Sequence, residues 1–187
     1  MQKTDSDNKR SVPELPKVII ASVGTVGPKQ TYDNVSICEN CSNESTPIFF
    51  NRIREEEKGN YYLFLPGQTT FTHENSLKHM VERLSTYPFF GGIYSDMYIK
   101  QKYLHYNYLP AYDRNVLRTN IIINSPILFK KDCKPIFHPD IKVLHFYNVM
   151  MVNQHLFSFC HIAEPLFTIE HKNQPDITYD MKLIKPE

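Results

Sequence analysis

Three polar side chains stand where apolar stretches of this sequence end, and they are the first candidates for chemistry. Gln68 follows the run Tyr61–Leu65, and Ser95 and Asp96 follow the short run Ile93-Tyr94. A carboxylate such as Asp96 accepts hydrogen bonds from hydroxyl groups and binds hard metal ions through oxygen. An Asp at such a position is equally typical of a turn or a helix cap, so both interpretations stay open.

The elements that would position these side chains form a strand–helix–strand pattern. Tyr61–Leu65 is an aromatic-rich apolar run that is typical of a buried strand. Thr72 can cap the helix that follows. Its apolar positions recur on one face, at Leu77, Met80, Val81 and Leu84. With Ile93-Tyr94 as the next strand, the pattern predicts a parallel, buried sheet, in which ligands bind at the carboxyl ends of the strands.

Two more strands are predicted near the start of the chain, at Lys17–Val23 and Val35–Cys38. Ser22 lies at the end of the first strand, and Glu39 and Asn40 follow the second. Glu39 could accept a hydrogen bond from an N–H group of a ligand. A turn rich in Asn and Ser also forms side-chain bonds to its own backbone and needs no ligand. The sequence does not separate these two interpretations.

Taken in order, these segments resemble the family 2 glycosyltransferases of the GT-A fold. The resemblance rests on KGNYYLFL followed by a helix and GGIYSD, on QTYDNVSICENCSNESTP, and on RTNIIINSPILF with the later CHIAEPLFTIEHKN. It covers roughly Lys17 to Asn173. It implies an α/β, Rossmann-like fold with a mostly parallel central sheet flanked by helices. It also implies a nucleotide-sugar ligand, held by Ser22, Glu39, Asn40, Gln68, Ser95 and Asp96.

The chain departs from this family where the family's chemistry lies. The Asp-x-Asp metal motif falls on Pro66-Gly67-Gln68, which contains no carboxylate. No metal ligand is therefore predicted, and Mn²⁺ or Mg²⁺ is left without its usual carboxylates. The acidic catalytic base falls near Val143–Phe146, where His145 is the titratable group. His145 and Asp96 are the candidate catalytic residues, because an imidazole can accept a proton near neutral pH. A histidine packed inside a helix is the alternative for His145.

The nucleotide-binding half of the fold is predicted to be abridged. Little room for a helix separates Val23 from Val35, and Ser42–Gly59 holds a helix at Ile48–Lys58 but is too short for an added strand. Two functions follow from the resemblance. One is an enzyme that transfers a sugar from a nucleotide donor to a hydroxyl group. The other is an inactive pseudo-glycosyltransferase that serves as a binding or structural module. An unrelated α/β domain is the third interpretation.

Composition narrows the class of protein. The chain has 187 residues, a net charge of +1 and scattered basic residues, so nucleic acid is not an expected partner. No apolar run approaches the roughly 20 residues of a membrane span, and the start is too polar for a signal peptide. Four cysteines favour reduced thiols and a cytoplasmic location. Cys38-x-x-Cys41 with Cys160-His161 is a weak zinc alternative, since the second pair lacks ligand spacing.

The remaining predictions concern the ends and the second half of the chain. Residues 1–16 are expected to be a flexible arm, 17–175 a single domain and 176–187 a tail. Tyr98–Tyr112 has five tyrosines and is expected to be a loop or hairpin that contacts sugars or a protein partner. Ile141–Phe159 is predicted as a buried helix, and Ile162–His171 as a closing strand. Pro165 would place that strand at a sheet edge.

Overall fold

The computed structural model describes residues 14–42, 44–113, 125–137 and 158–170 of the chain. Within them lie eight strands, two α-helices and one short 3-10 turn at Lys131–Cys133. The strands are β1 Val18–Ser22, β2 Val35–Glu39, β3 Tyr61–Leu65, β4 Thr69–Phe71, β5 Phe90–Lys100, β6 Leu104–Asn107, β7 Ile127–Lys130 and β8 Ser158–Glu170. The helices are α1 Thr46–Glu56 and α2 Ser76–Thr86.

The strands form one mixed sheet in the order β2-β1-β3-β7-β5-β8-β4, with β6 paired to the far part of β5. β1 is parallel to β2 and β3, and β5 is parallel to β8. β7 is antiparallel to both β3 and β5, so β3 and β5 point the same way with β7 between them. β1, β2 and β3 therefore end at one common edge, as the sequence predicted, whereas β5 runs past that level to Lys100. The strands β7, β4 and β6 make the sheet less parallel than expected.

Alternation along the strands divides the core into two layers. Tyr62 and Phe64 face one layer, together with Phe49, Phe50 and Ile53 of α1. Leu63 and Leu65 face the other layer, together with the apolar stripe of α2, formed by Leu77, Met80, Val81 and Leu84. Both layers are buried because each strand of the sheet's centre places alternate side chains on opposite faces. The predicted sheet flanked by helices is confirmed, and so is the apolar face of α2.

The short connections predicted near the start of the chain are also found. The connection from β1 to β2 contains no helix in residues 23–34, and α1 is followed directly by β3 with no strand between them. The loop lies on the α2 side of the sheet, where Gln30 accepts a hydrogen bond from the Leu77 N–H group at 3.0 Å. It leaves β2 thinly covered, since Ile37 is 50% exposed.

Three predictions about local structure are wrong. Phe159 belongs to β8 and not to a helix, because β8 begins at Ser158. Pro165 does not mark an edge strand, since β8 lies between β5 and β4. Pro165 pairs with Asp96 between two register shifts of the β5–β8 ladder, and a strand tolerates proline at a bulge because the ladder is locally disrupted there. Thr72 does not cap α2, which begins after Asn75.

Other predictions lie partly outside the described residues. His145 and the rest of the predicted helix up to residue 157 belong to this group, as do most of the arm and the tail. The tyrosine-rich segment forms the β5–β6 hairpin, as expected. No helix in the described parts of the chain could span a membrane.

Candidate functional site

The carboxyl ends of β1, β2 and β3 form a row of polar groups, which we call the donor edge: Ser22, Glu39, Asn40 and Gln68. The register aligns Ser22 with Glu39 on one side and with Leu65 on the other. The Ser22 side chain is fully buried, and its hydroxyl closes a turn by donating to the Gly24 carbonyl at 2.7 Å. Ser22 therefore shapes the edge through the backbone of its turn and not through an exposed hydroxyl.

Glu39 and Asn40 extend the donor edge from β2. The Asn40 N–H group donates to the Ser22 carbonyl at 3.1 Å, which ties the two strand ends together. The Asn40 amide nitrogen donates to the Glu44 carbonyl at 2.8 Å and orders the turn before α1. Glu39 is exposed, so its carboxylate is available to an N–H donor from solution.

Gln68 follows a tight turn at the end of β3. Gly67 has a φ of 58°, a left-handed conformation that favours glycine. The Gln68 side chain is exposed, and its backbone carbonyl accepts a hydrogen bond from the Glu170 N–H group at 3.0 Å. Gly24 lies against this turn, because a Cβ added there would come within 2.7 Å of the Gly67 carbonyl oxygen. The ends of β1 and β3 are thus in direct backbone contact.

Asp96 lies within β5 and not at its end, since the strand continues to Lys100. The register places it just past the level at which β3 ends. Ile93 and Leu63 both pair with Leu128, so Ser95 lies at the level of Leu65. Asp96 is the next residue, at the level where β3 has already ended. With β7 between β3 and β5, about 10 Å of sheet separates Asp96 from the β3 turn.

The Asp96 carboxylate is the centre of a buried cluster that also contains Tyr106, Leu109 and His161, here called the Asp96 cluster. Asp96 is 2% exposed. Its Oδ1 accepts the Leu109 N–H group at 2.8 Å and lies 2.8 Å from His161 Nε2. Its Oδ2 accepts the Tyr106 hydroxyl at 3.1 Å. Three donors from β6, from the loop after it and from β8 therefore converge on one carboxylate.

Two tyrosines complete the surroundings of the cluster. Burial and the hydrogen bond to Asp96 raise the pKa of Tyr106 to about 12. Burial also raises the pKa of Tyr94, and the Tyr94 hydroxyl donates to the Pro110 carbonyl at 2.6 Å. The Tyr94 ring stacks on the His161 imidazole with 5.0 Å between ring centroids. Each polar ring thus has a defined position next to the carboxylate.

Sequence reasoning missed His161 as a partner of Asp96 and considered it only with Cys160 for zinc. The two residues are 65 positions apart, and only the parallel pairing of β5 with β8 brings them together. The available signal was a histidine inside an otherwise apolar strand, Phe159-Cys160-His161-Ile162. A polar side chain at such a position needs a buried partner.

The described residues do not fit a metal ion. In residues 14–42, 44–113, 125–137 and 158–170, no three His, Cys, Asp or Glu side chains gather in a way that could hold one. The zinc alternative fails on topology, since Cys38 of β2 and the Cys160-His161 pair of β8 are five strand spacings apart, about 24 Å. The oxygens of Asp96 already accept protein donors. No chemical step is therefore assigned to a metal.

The arginines of α1 are engaged within the protein. Arg52 forms an ion pair with Glu44 at 3.0 Å and with Glu56 at 3.1 Å. Arg54 lies 3.4 Å from the Glu55 carboxylate. Neither arginine belongs to the donor edge.

Comparison with known proteins identifies the fold. No protein-family model and no curated protein matches the sequence. Solved structures do match: TarS 1–349 of S. aureus superposes with a TM-score of 0.57 at 9% identity, over 82% of this chain and 60% of that one. The mannosyltransferase PcManGT from Pyrobaculum calidifontis, in complex with GDP-Man and Mn²⁺, gives 0.54 at 12% identity, over 89% and 59%. The chain has a glycosyltransferase-like α/β fold and spans about 60% of these neighbours.

Proposed function

We propose that this chain is a glycosyltransferase-type domain that binds a nucleotide-sugar at the donor edge. The observation that carries the proposal is the fold, since one structural neighbour holds GDP-Man and Mn²⁺. In open α/β sheets, ligands bind at the carboxyl ends of the strands, and Glu39 and Gln68 are exposed there. Glu39 would accept an N–H group of the nucleotide base, and the backbone turns at Ser22 and Gly67 would face the phosphates. The four cysteines are free thiols, which supports a cytoplasmic location as part of the proposal.

A second candidate is a binding module without chemistry. It is favoured by the absence of any carboxylate in Pro66-Gly67-Gln68 and by the enclosure of Asp96. In that case the β5–β6 hairpin would supply a docking surface for a protein. Exposed apolar and aromatic side chains at this hairpin and directly after it include Tyr103, Leu104 and Tyr108, with exposed fractions of 65%, 57% and 77%. Tyrosine-rich surfaces of this kind are common at protein interfaces.

A nucleotide-binding measurement separates the two candidates. The full chain would be titrated calorimetrically and melted with UDP, GDP and CDP, and with UDP-glucose and GDP-mannose, each with and without Mn²⁺. A ligand at one hundred times its Kd raises the free energy of unfolding by about 2.7 kcal/mol. Saturable binding to one nucleotide supports the proposal. If no nucleotide at millimolar concentration raises the melting temperature or binds in the calorimeter, the proposal is overturned and the binding module remains as the candidate.

A matched pair of variants places the ligand. Glu39→Gln should weaken nucleotide binding several-fold, because an amide is a poorer acceptor than a carboxylate for a base N–H group. Glu82→Gln changes an exposed glutamate on α2, outside the donor edge, and should leave the Kd unchanged. Equal affinities for both variants would place the ligand away from Glu39.

A further inference from the structure

The hydrogen bonds of Asp96 fix the chain on both sides of Tyr108. Asp96 Oδ2 accepts the Tyr106 hydroxyl at 3.1 Å, and Asp96 Oδ1 accepts the Leu109 N–H group at 2.8 Å. Asp96 is 2% exposed, so both hydrogen bonds end on a buried group. Tyr108, which lies between the two anchored residues, is nevertheless 77% exposed. A buried carboxylate thus anchors the segment that holds an aromatic ring in solvent.

Three tyrosine rings form one surface here, which we call the tyrosine platform: Tyr98, Tyr106 and Tyr108. The rings of Tyr106 and Tyr108 stack, with 4.1 Å between their centroids and 26° between their planes. Tyr98 pairs with Tyr106 across the β5–β6 hairpin, and their rings meet edge to face at 5.4 Å. Because the Tyr106 hydroxyl is tied to Asp96, the stack is positioned before any ligand arrives, which lowers the entropy cost of binding.

The platform continues onto a polar face of the sheet. Met97 faces the core layer under α2, so its neighbour Tyr98 faces the opposite side of the sheet, and so does Lys100. Residues that are opposite each other on paired strands share a face. Thr168 of β8 is therefore beside Tyr98, and Glu170 is beside Lys100. Both β8 residues are partly exposed, so polar groups lie directly next to the tyrosine rings.

The polar groups of this face extend to the donor edge. The Lys100 ammonium lies 2.6 Å from the Glu170 carboxylate, and the Glu170 N–H group donates to the Gln68 carbonyl at 3.0 Å. The two charges of the ion pair cancel, so this face offers no net attraction to an ionic ligand. An ammonium, a carboxylate and an amide together can donate and accept hydrogen bonds, which suits a neutral ligand with many hydroxyl groups.

We propose that the tyrosine platform, together with the polar row from Lys100 to Gln68, is a binding surface for a neutral carbohydrate. A sugar ring would lie with its apolar face on the Tyr108 ring, and its hydroxyl groups would bond to the polar row. A protein partner fits less well, because the central parts of protein interfaces are depleted in charged groups. The inference goes beyond the proposed function, since this surface needs no nucleotide at the donor edge.

The test uses the full chain in three forms: wild type, Tyr108→Ala and Tyr103→Ala. Tyr103 is a matched control, because it is 65% exposed at the same hairpin but its ring lies near the Lys102 ammonium and outside the platform. Saturation-transfer NMR is recorded without nucleotide, on tetrasaccharides of glucose, mannose, xylose, galactose and N-acetylglucosamine. Titration with a saccharide that binds gives its Kd for each form. Circular dichroism confirms that the variants are folded.

The wild type should bind at least one of these saccharides. Tyr108→Ala should raise the Kd by about tenfold, through the loss of one stacking ring, whereas Tyr103→Ala should change it less than about twofold. Absence of binding to every saccharide, or an unchanged Kd in Tyr108→Ala, would overturn the proposal. Neither result bears on nucleotide binding, which is measured separately at the donor edge.

Two further measurements sharpen the assignment. Tyr106→Phe keeps the stacked ring but loses its hydrogen bond to Asp96, so the Kd for the saccharide should rise several-fold. An unchanged Kd would refute the anchoring by Asp96. Sedimentation of the wild type and of Tyr108→Ala tests the protein alternative. Self-association that disappears in Tyr108→Ala, with no saccharide bound by the wild type, would make the platform a protein contact and overturn the proposal.

Discussion

The donor edge and the Asp96 cluster lie at the same end of one sheet, yet they are built in opposite ways. The donor edge consists of turns that follow single strands, and Glu39 and Gln68 project from them into solvent. The Asp96 cluster consists of side chains from three separate segments that share one buried carboxylate. The first arrangement can exchange ligands freely, whereas the second holds a fixed geometry.

The largest expected contrast is in stability. Asp96→Ala removes the common acceptor of Leu109, Tyr106 and His161 and should lower the free energy of unfolding by about 3–5 kcal/mol, as for other broken buried pairs. Glu39→Ala changes an exposed side chain and should cost less than about 0.5 kcal/mol. Urea denaturation followed by circular dichroism measures both. Equal losses for the two variants would remove the distinction between the regions.

The second contrast lies within the donor edge and tests whether its two glycine turns tolerate an added methyl group equally well. Gly24→Ala should lower the free energy of unfolding by about 1–3 kcal/mol, because the new methyl group would lie 2.7 Å from the Gly67 carbonyl oxygen. That oxygen belongs to the backbone and cannot move aside as a flexible side chain could. Gly67→Ala meets no atom within 4 Å, so its cost of about 1 kcal/mol arises only from the φ of +58°. Thermal melts rank the two. A harmless Gly24→Ala would show that the β1 and β3 turns move apart easily.

The smallest contrast concerns Tyr106 and alkaline pH. Tyr106→Phe should lower the free energy of unfolding by about 1 kcal/mol at neutral pH, through loss of one hydrogen bond. The folded-state pKa of Tyr106 is raised from 10 to about 12. This contribution is therefore complete below pH 10 and is lost as the pH rises from 10 to 12, because only the unfolded chain releases the proton there.

The measurement is the difference in urea midpoint between wild type and Tyr106→Phe at a series of pH values up to about 12. The difference should shrink across that window. Tyr103→Phe serves as the control, since its ring is 65% exposed, and its midpoint should stay near that of the wild type. A difference that does not change with pH would show that Asp96 does not hold the Tyr106 proton.

Local patterns were sufficient for the strands and helices that the sequence predicted correctly. The run Tyr61–Leu65 is β3 to the residue, and the helical spacing from Leu77 to Leu84 is the buried face of α2. These signals succeed because burial on one side leaves a period in the sequence itself. The missing helix between β1 and β2 could also be predicted, because too few residues separate the two strands.

The Asp96 cluster could not be predicted in the same way. Asp96 drew attention as a single acid, but its three donors come from segments 10, 13 and 65 positions away. Nothing local specifies the strand pairing that joins them. Pro165 misled for a related reason, since the β5–β8 register shift that accommodates it depends on both strands. When strand pairing brings the residues of a cluster together, a single sequence can point to individual residues but not to the contacts between them.

The position of β8 in the chain has a consequence for how the protein is made. β8 pairs with β5 along most of its length and, among the described residues, is the partner of β4, whose sequence is synthesised long before it. During synthesis, β4 and one side of β5 lack their β8 partner until residues 158–170 have been made and have left the ribosome. Such long-range pairing is slow and exposes strand edges to aggregation. Efficient production should therefore depend on conditions that protect the nascent chain, such as low temperature or abundant chaperone.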